Sequence, residues 1–221
     1  MNFNINAVIF DLDGTLIDSM ALWEDVDKNF LSKRNIDFPD DLFDNLKSNG
    51  INDLAVYFKN RFSLKESIEE IIKEWIDEVN LAYSYTLKIK TGSLDLIKYF
   101  KSKELKLAIG TSNELSLTRA VLQSNNILDY FETISTGCGK IKGKPAPDIY
   151  LQAAKNINIK PENCLVIEDS LQGVLAAKNA KMKVFAIEDN YSAFEKDEIL
   201  SNADSYFTCY SEMFDYIKKI I

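Results

Sequence analysis

Ala7-Val-Ile-Phe-Asp-Leu-Asp-Gly-Thr-Leu16 is the stretch that decides how this chain folds. Its first four residues are apolar without alternation, which suits a central parallel strand buried on both faces. Two acids, Asp11 and Asp13, leave the end of that strand and are followed by Gly14. In extended backbone, residues two apart point the same way, so both carboxylates can face one site. Clustered carboxylates repel one another unless a cation joins them. A hard cation with oxygen ligands fits, and magnesium is the default when phosphate is bound as well. A lone Asp-x-Asp would be read as a solvated turn with helix-capping acids. The complete string behind a buried strand argues against that reading.

Outward from this point the pattern divides in two. Asp18 to about Lys33 is helical, with Leu22, Val26, Phe30 and Leu31 near one face. Between Pro39 and Tyr85 no strand signal is convincing, and helices are expected over Asp40–Lys47 and Asn52–Phe62. Ser63-Leu-Lys-Glu66 resembles a capping box and is expected to open a long helix ending near Tyr83. After Leu87 strands and helices alternate. Strands are expected at Leu105–Ile109, Phe131–Ser135, Cys164–Ile167 and Val184–Ile187. Helices are expected at Ser93–Lys103, Leu115–Ser124, Pro147–Lys155, Leu171–Asn179 and Tyr210–Ile220. That alternation implies a parallel sheet with helices on both faces. The expected class is therefore α/β: a Rossmann-like core made of residues 1–16 and 87–221, interrupted by an all-helical insert over residues 17–86.

Three more motifs fall where strands end, which is where open α/β sheets bind ligands. Ile109-Gly-Thr-Ser-Asn113 offers the Thr111 hydroxyl and the backbone N–H groups of Ser112 and Asn113 to a phosphoryl oxygen, although such residues are also ordinary helix caps. Gly143-Lys-Pro-Ala-Pro-Asp148 holds Lys144 before Pro145, out of helical geometry just as a helix begins. An ammonium held there can offset the charge of Asp11 and of a transferring phosphate. Val166-Ile-Glu-Asp-Ser-Leu-Gln-Gly173 places a second acidic pair, Glu168 and Asp169, behind another buried strand. Metal ligation is preferred there over a plain N-cap, because Asp169 would come from a strand end beside the first acids.

Composition narrows the chemistry. The 221 residues are 46% apolar and carry 34 acidic against 26 basic groups, a net charge of −8. Nucleic-acid binding needs a positive footprint, and anionic membranes attract one too; none is visible here. No run of about eighteen apolar residues marks a membrane span. The start, MNFNINAVIF, lacks a basic region and a cleavage site, so no signal peptide is expected. Cys138, Cys164 and Cys209 are isolated and odd in number, which fits reduced thiols in a cytoplasmic protein. The chain has no histidine. A Ser-His-Asp triad, a Cys-His pair and an HExxH zinc site are thereby excluded, and acid–base work falls to carboxylates, lysine, tyrosine or cysteine.

Taken together, FDLDGTL, GTSN, GKPAPD and EDSLQG resemble, in order and spacing, the four motifs of the haloacid dehalogenase-like hydrolase superfamily. The resemblance covers nearly the whole chain. Within the superfamily the chain is similar to the group containing β-phosphoglucomutase and sugar-phosphate phosphatases, in which a helical cap domain follows the first motif. The resemblance implies Asp11 as nucleophile, forming an aspartyl-phosphate, and Asp13 as general acid–base. It implies Thr111 and Lys144 as holders of the phosphoryl group. It implies magnesium bound by Asp11, the backbone carbonyl of Asp13, and Asp169, with Glu168 nearby. The expected substrate is a small phosphorylated metabolite, a sugar or polyol phosphate, turned over by a cytoplasmic monomer.

The resembling phosphomutases carry a histidine in the linker into the cap and an arginine in a cap loop. Here Trp23 falls near the histidine and Ile51 near the arginine. A mutase must regrip a bisphosphate, which Ile51 cannot do, although Lys47 is a partial substitute. A hydrolase is therefore expected, with the mutase as the alternative. A dehalogenase would need neither Asp13 nor the Glu168-Asp169 pair in these roles. A catalytically dead scaffold is disfavoured because all four motifs are intact. Substrate choice is expected to lie with Trp23, Lys47, Asn49, Ile51, Asn52 and the aromatic residues around Tyr57. Thr136-Gly-Cys-Gly-Lys140 replaces an acidic pair common in that loop of the family, and no function is assigned to the change.

Overall fold

The computed structural model describes residues 4–39, 41–42, 51–137 and 141–221. Lys47, Asn49 and Cys138 lie outside these residues, and of the helix expected over Asp40–Lys47 only Asp41 and Leu42 fall within them.

Among the described residues, six parallel strands form one sheet in the order β3-β2-β1-β4-β5-β6. They are β1 (Ala7–Phe10), β2 (Lys106–Thr111), β3 (Thr133–Thr136), β4 (Cys164–Glu168), β5 (Lys183–Ile187) and β6 (Ser205–Phe207). β1 lies between β2 and β4, in register Phe10 with Ile109 and Phe10 with Ile167. The α/β class holds, and the period of two explains its two layers. Val8, Phe10, Leu107, Ile109, Leu165, Ile167, Phe185 and Ile187 face one apolar cluster. Ala7, Ile9, Ala108, Cys164, Val166, Val184 and Ala186 face the other. The second face carries the smaller side chains and meets alanines of α6 (Asp148–Asn156) and α7 (Leu171–Asn179), Ala153, Ala154, Ala176 and Ala177. The first face is covered by α4 (Ser93–Ser102), α5 (Leu115–Ser124) and α9 (Tyr210–Ile220), through Leu96, Phe100, Leu117, Val121, Met213 and Ile217.

Among the described residues, three helices come between β1 and α4: α1 (Met20–Ser32), α2 (Ile51–Arg61) and α3 (Ile68–Tyr85). Phe30, Phe58 and Trp75 meet edge to face at their centre, with centroids 5.1 to 6.0 Å apart. The chain leaves and re-enters the core through two segments joined by an antiparallel bridge between Ile17 and Ile89. The Lys90 N–H donates to the Leu16 carbonyl at 2.8 Å, and the Asp18 N–H to the Lys88 carbonyl at 3.1 Å.

Two expectations need correction. The capping box forms at Ser67 and Glu70, not at Ser63 and Glu66. Ser63 adopts a φ of +51°, and the Leu64 N–H bonds back to the Lys59 carbonyl, so residues 63–66 close α2 instead of opening α3. The sequence also did not mark α8 (Lys196–Asn202) or the edge strand β6, both of which are short. Among the described residues no helix is long and apolar enough to cross a membrane.

Candidate active site

The strand order brings the four motifs to one sheet edge. β1 delivers Asp11 and Asp13, β2 delivers Thr111 and Asn113 on one side, and β4 delivers Glu168 and Asp169 on the other. Lys144 arrives from the segment before α6. Asp11, Thr111, Asn113, Lys144, Glu168 and Asp169 are all buried. Gly14 has a φ of +78°, and a Cβ there would lie 2.5 Å from Asp169 Oδ2. Only glycine lets the Asp11–Asp13 loop turn back against the β4 carboxylate.

One group of contacts surrounds Lys144. Its ammonium lies 2.5 Å from Asp11 Oδ1 and 2.5 Å from Glu168 Oε1. The Tyr150 hydroxyl donates to Glu168 Oε1 at 2.8 Å. Glu168 Oε2 accepts from the backbone N–H groups of Asp169 and Ser170 and from the Ser170 hydroxyl, at 2.8, 2.9 and 3.1 Å. Ser170 is the N-cap of α7 and accepts from the Gly173 N–H. Glu168 is thus held by the start of a helix, whose amides and dipole favour a negative charge. Burial pushes its carboxyl upward, but Lys144 and these donors outweigh that and hold it below the usual range. The Lys144 ammonium is itself stabilised: burial opposes its charge, and Asp11 and Glu168 more than restore it.

A second group surrounds Asp13. The Ser19 hydroxyl donates to Asp13 Oδ1 at 2.6 Å, and the Tyr83 hydroxyl donates to the same oxygen. Asn113 Nδ2 donates to Asp13 Oδ2 at 2.8 Å. Tyr83 comes from the last turn of α3 and Ser19 from the residue before α1. Both acids of the Asp-x-Asp string therefore lie at one site, in different surroundings: Asp11 beside an ammonium, Asp13 beneath neutral donors.

Thr111 Oγ1 accepts from the Asn113 N–H at 3.0 Å, which leaves its own hydrogen to donate elsewhere. Ser112 is half-buried beside it. Trp23 does reach the site, where its Nε1 donates to the Tyr83 hydroxyl at 2.8 Å. Ile51 and Asn52 do not. Ile51 opens α2 and packs on the apolar cluster, and Asn52 is exposed. Tyr57 points to Arg61. Several residues escaped the sequence reading. Thr15 donates to Asp169 Oδ1 at 2.6 Å and Ser192 to Asp169 Oδ2 at 3.2 Å. Ser19, Tyr83 and Tyr150 were likewise unmarked. Thr15 and Ser19 sit beside the first motif and Tyr150 just after the third, so they carry a local signal; Tyr83 and Ser192 come from distant segments and carry none.

The donor set fits a divalent cation. Oxygens of Asp11, Glu168 and Asp169 lie within 4.8 Å of one another, and all three residues are buried. Three carboxylates face one ammonium, which leaves net negative charge in a dry place. Burial, against the pull of Lys144, raises the Asp11 carboxyl to about 7. Burial and the neighbouring Glu168 and Asp11 raise Asp169 well above its usual range. An oxygen-seeking cation relieves that repulsion. Glu168 is already served by Lys144, Tyr150 and α7, so Asp11 and Asp169 are the side chains best able to ligate. The carboxylate of Asp13 lies outside this cluster.

Comparisons with known proteins agree with the fold and the motifs. The sequence model described as haloacid dehalogenase-like hydrolase matches residues 8–187. A phosphorylated carbohydrates phosphatase of Thermotoga maritima is 30% identical over 176 residues, covering 80% of this chain and 82% of that protein. Hexitol phosphatase B of Escherichia coli is 28% identical over 191 residues, covering 83% of each. A crystal structure of β-phosphoglucomutase from Clostridium difficile superposes with a TM-score of 0.81 over 98% of this chain and 96% of that one. At 24% identity that last likeness concerns the fold alone.

Proposed function

The chain belongs to the haloacid dehalogenase-like hydrolase family and is a phosphatase, and on that premise we propose that it hydrolyses a small sugar or polyol phosphate through an aspartyl-phosphate on Asp11. The observation that carries this reading is the unequal setting of the two acids. Asp11 lies against Lys144, where an anion-to-anion attack on phosphorus can be compensated. Asp13 lies among neutral hydrogen-bond donors, outside the carboxylate cluster and clear of the ion pair that engages Asp11, which leaves it available for the acid–base role.

In the first step the Asp11 carboxylate attacks phosphorus while Asp13 gives a proton to the departing alcohol. In the second, Asp13 takes a proton from water, whose oxygen displaces Asp11 and releases inorganic phosphate. Lys144, the Thr111 hydroxyl and the amides of Ser112 and Asn113 hold the phosphoryl oxygens, since phosphoryl transfer depends chiefly on positioning and charge. Magnesium would be held by Asp11, Asp169 and the Asp13 backbone carbonyl, with Glu168 behind Lys144, and when bound it neutralises phosphoryl oxygens. Residues 17–86 act as a lid on a core of residues 1–16 and 87–221, turning about the bridged segments at Leu16–Asp18 and Lys88–Lys90. The enzyme works as a cytoplasmic monomer.

Hydrolysis is favoured over mutase chemistry by the arginines of the insert. Arg34 is tied to Glu66 and Glu74, and Arg61 to Asp41, so both are engaged inside the insert. A panel of phosphorylated sugars and polyols, assayed for phosphate release with and without magnesium, tests the reading. With β-glucose 1-phosphate and a glucose bisphosphate primer, phosphate should be the product. Glucose 6-phosphate forming faster than phosphate would reverse the assignment to a mutase.

A further inference from the structure

Tyr83 is buried, and its hydroxyl is fully committed. It accepts from Trp23 Nε1 at 2.8 Å and from Asn113 Nδ2 at 2.9 Å. The orientation of the Asn113 amide is fixed, because Asn113 Oδ1 accepts from the Glu114 N–H at 2.7 Å. An indole N–H and an amide NH₂ can only donate, so both phenol lone pairs are occupied and its own hydrogen is left for the carboxylate it faces, at Asp13 Oδ1. That oxygen also accepts from Ser19. Among the described residues, two donors fill the in-plane sites of Oδ1, whereas Oδ2 takes one donor, from Asn113. The backbone behind the phenol is fixed too, since Ser124 of α5 donates to the Tyr83 carbonyl at 3.2 Å.

We infer that Tyr83 is the positioning residue for Asp13: with Ser19 it saturates Oδ1 and leaves Oδ2 as the oxygen that gives the proton to the leaving alcohol. Trp23 takes part by aiming the phenol. In a chain without histidine, a tyrosine from the inserted helices fixes the acid. The inference rests on the reading of Asp13 as the acid–base.

Comparing two esters of similar shape tests it. p-Nitrophenyl phosphate loses a stable anion and needs little protonation, while phenyl phosphate loses a far more basic one. The quantity to read is kcat/KM, which includes the departure of the leaving group. Tyr83→Phe removes the hydroxyl and keeps the ring. It should lower kcat/KM for phenyl phosphate by about tenfold more than for p-nitrophenyl phosphate, a fraction of the full effect of a general acid. Asp13→Asn should show the same imbalance in larger degree. An equal loss on both esters in Tyr83→Phe means the hydroxyl is merely structural and overturns the inference. If Asp13→Asn shows no imbalance, Asp13 is not the acid and the inference falls with that reading. Should Tyr83→Phe fail to fold, Trp23→Phe, which withdraws one of the orienting donors, must show a smaller imbalance in the same direction; its absence also overturns the inference.

Discussion

Lys144 Nζ lies 2.5 Å from Asp11 Oδ1, and both groups are almost wholly shielded from water. An ammonium so placed does two things: it keeps Asp11 from being more strongly protonated, and it screens Asp11 from an incoming phosphate. Removing one partner of a buried ion pair costs about 3–5 kcal/mol, because the other is left uncompensated. Lys144→Met should therefore melt at a lower temperature than the wild type in thermal denaturation. Its turnover should fall by roughly a hundredfold or more, the loss typical of one charge-stabilising donor. Equal activity in the two proteins would remove Lys144 from the mechanism.

Asp11→Asn keeps the shape of the side chain proposed to attack phosphorus and discards its charge. Lys144 keeps Glu168 at 2.5 Å, and the buried cluster has one carboxylate fewer, so the variant should fold as well as the wild type in metal-free buffer, or better. Turnover should be abolished, and incubation with substrate should leave no acid-stable, base-labile phosphate on the protein. Near-normal turnover in a folded, metal-loaded variant would rule out the covalent route.

Magnesium should raise the melting temperature of the wild type in a concentration-dependent way, since a ligand bound only by the native state stabilises it by about 2.7 kcal/mol at a hundredfold excess over Kd. Asp169→Asn should blunt that rise. Chelator should abolish turnover, and excess calcium should inhibit, because its larger, more flexible shell spoils in-line geometry. Full activity in chelator would end the magnesium assignment.

Gly173 packs against Glu168 so closely that a Cβ there would lie 1.6 Å from Glu168 Oε1. Gly173→Ala must push Glu168 off Lys144 or shift α7. Overpacking of this kind costs about 1–3 kcal/mol. The expected outcome is a lower melting temperature together with a loss of turnover, although position 173 touches no substrate. Unchanged kinetics would show that Glu168 is dispensable to Lys144.

Asp27 gives the pH prediction. It is buried on α1, and burial, reinforced by Glu24, raises its carboxyl from 3.8 to about 7. The unfolded chain releases this proton near the ordinary value, whereas the folded protein keeps it to about pH 7. Between those limits the native state holds more protons, so its stability falls as pH rises from about 4 to about 7 and then levels off. At about 1.4 kcal/mol per unit the effect is bounded near 4 kcal/mol. Asp27→Asn should match the wild type near pH 4 and melt several degrees higher at pH 8. Parallel stability curves for the two proteins across that range would refute it.

The parts of the fold that could be read in advance are those whose cause is local. Leu115–Ser124, Leu171–Asn179 and Tyr210–Ile220 occupy the expected limits, because each pairs a clear apolar face with polar or turn residues at its ends. β6 has only three residues and gains its identity by lying beside β5, a relation no local pattern records. The misplaced capping box reflects two Ser-x-x-Glu spacings four residues apart, of which tertiary contacts select the second. In the site, Asp11, Asp13, Thr111, Lys144, Glu168 and Asp169 stand in motifs and were visible. Tyr83 was not: it reads as an apolar position of a helix, and its partner Asp13 lies 70 residues earlier.

The central place of β1 has a consequence for how the protein is made. β1 ends at Phe10, yet its two partners begin at Lys106 and Cys164. On a ribosome adding about 5–20 residues per second, the strand that leads into Asp11 waits several seconds with both edges open. Meanwhile α1 to α3, whose contacts are more local, are free to form ahead of the sheet. A chain halted before β4 would carry Asp11 and Asp13 but neither Glu168 nor Asp169, and would expose an unpaired apolar strand of the kind that aggregates. Glu168 and Asp169 are thus added long after the strand they must face, and until then the open edges of β1 must be kept from pairing with other chains.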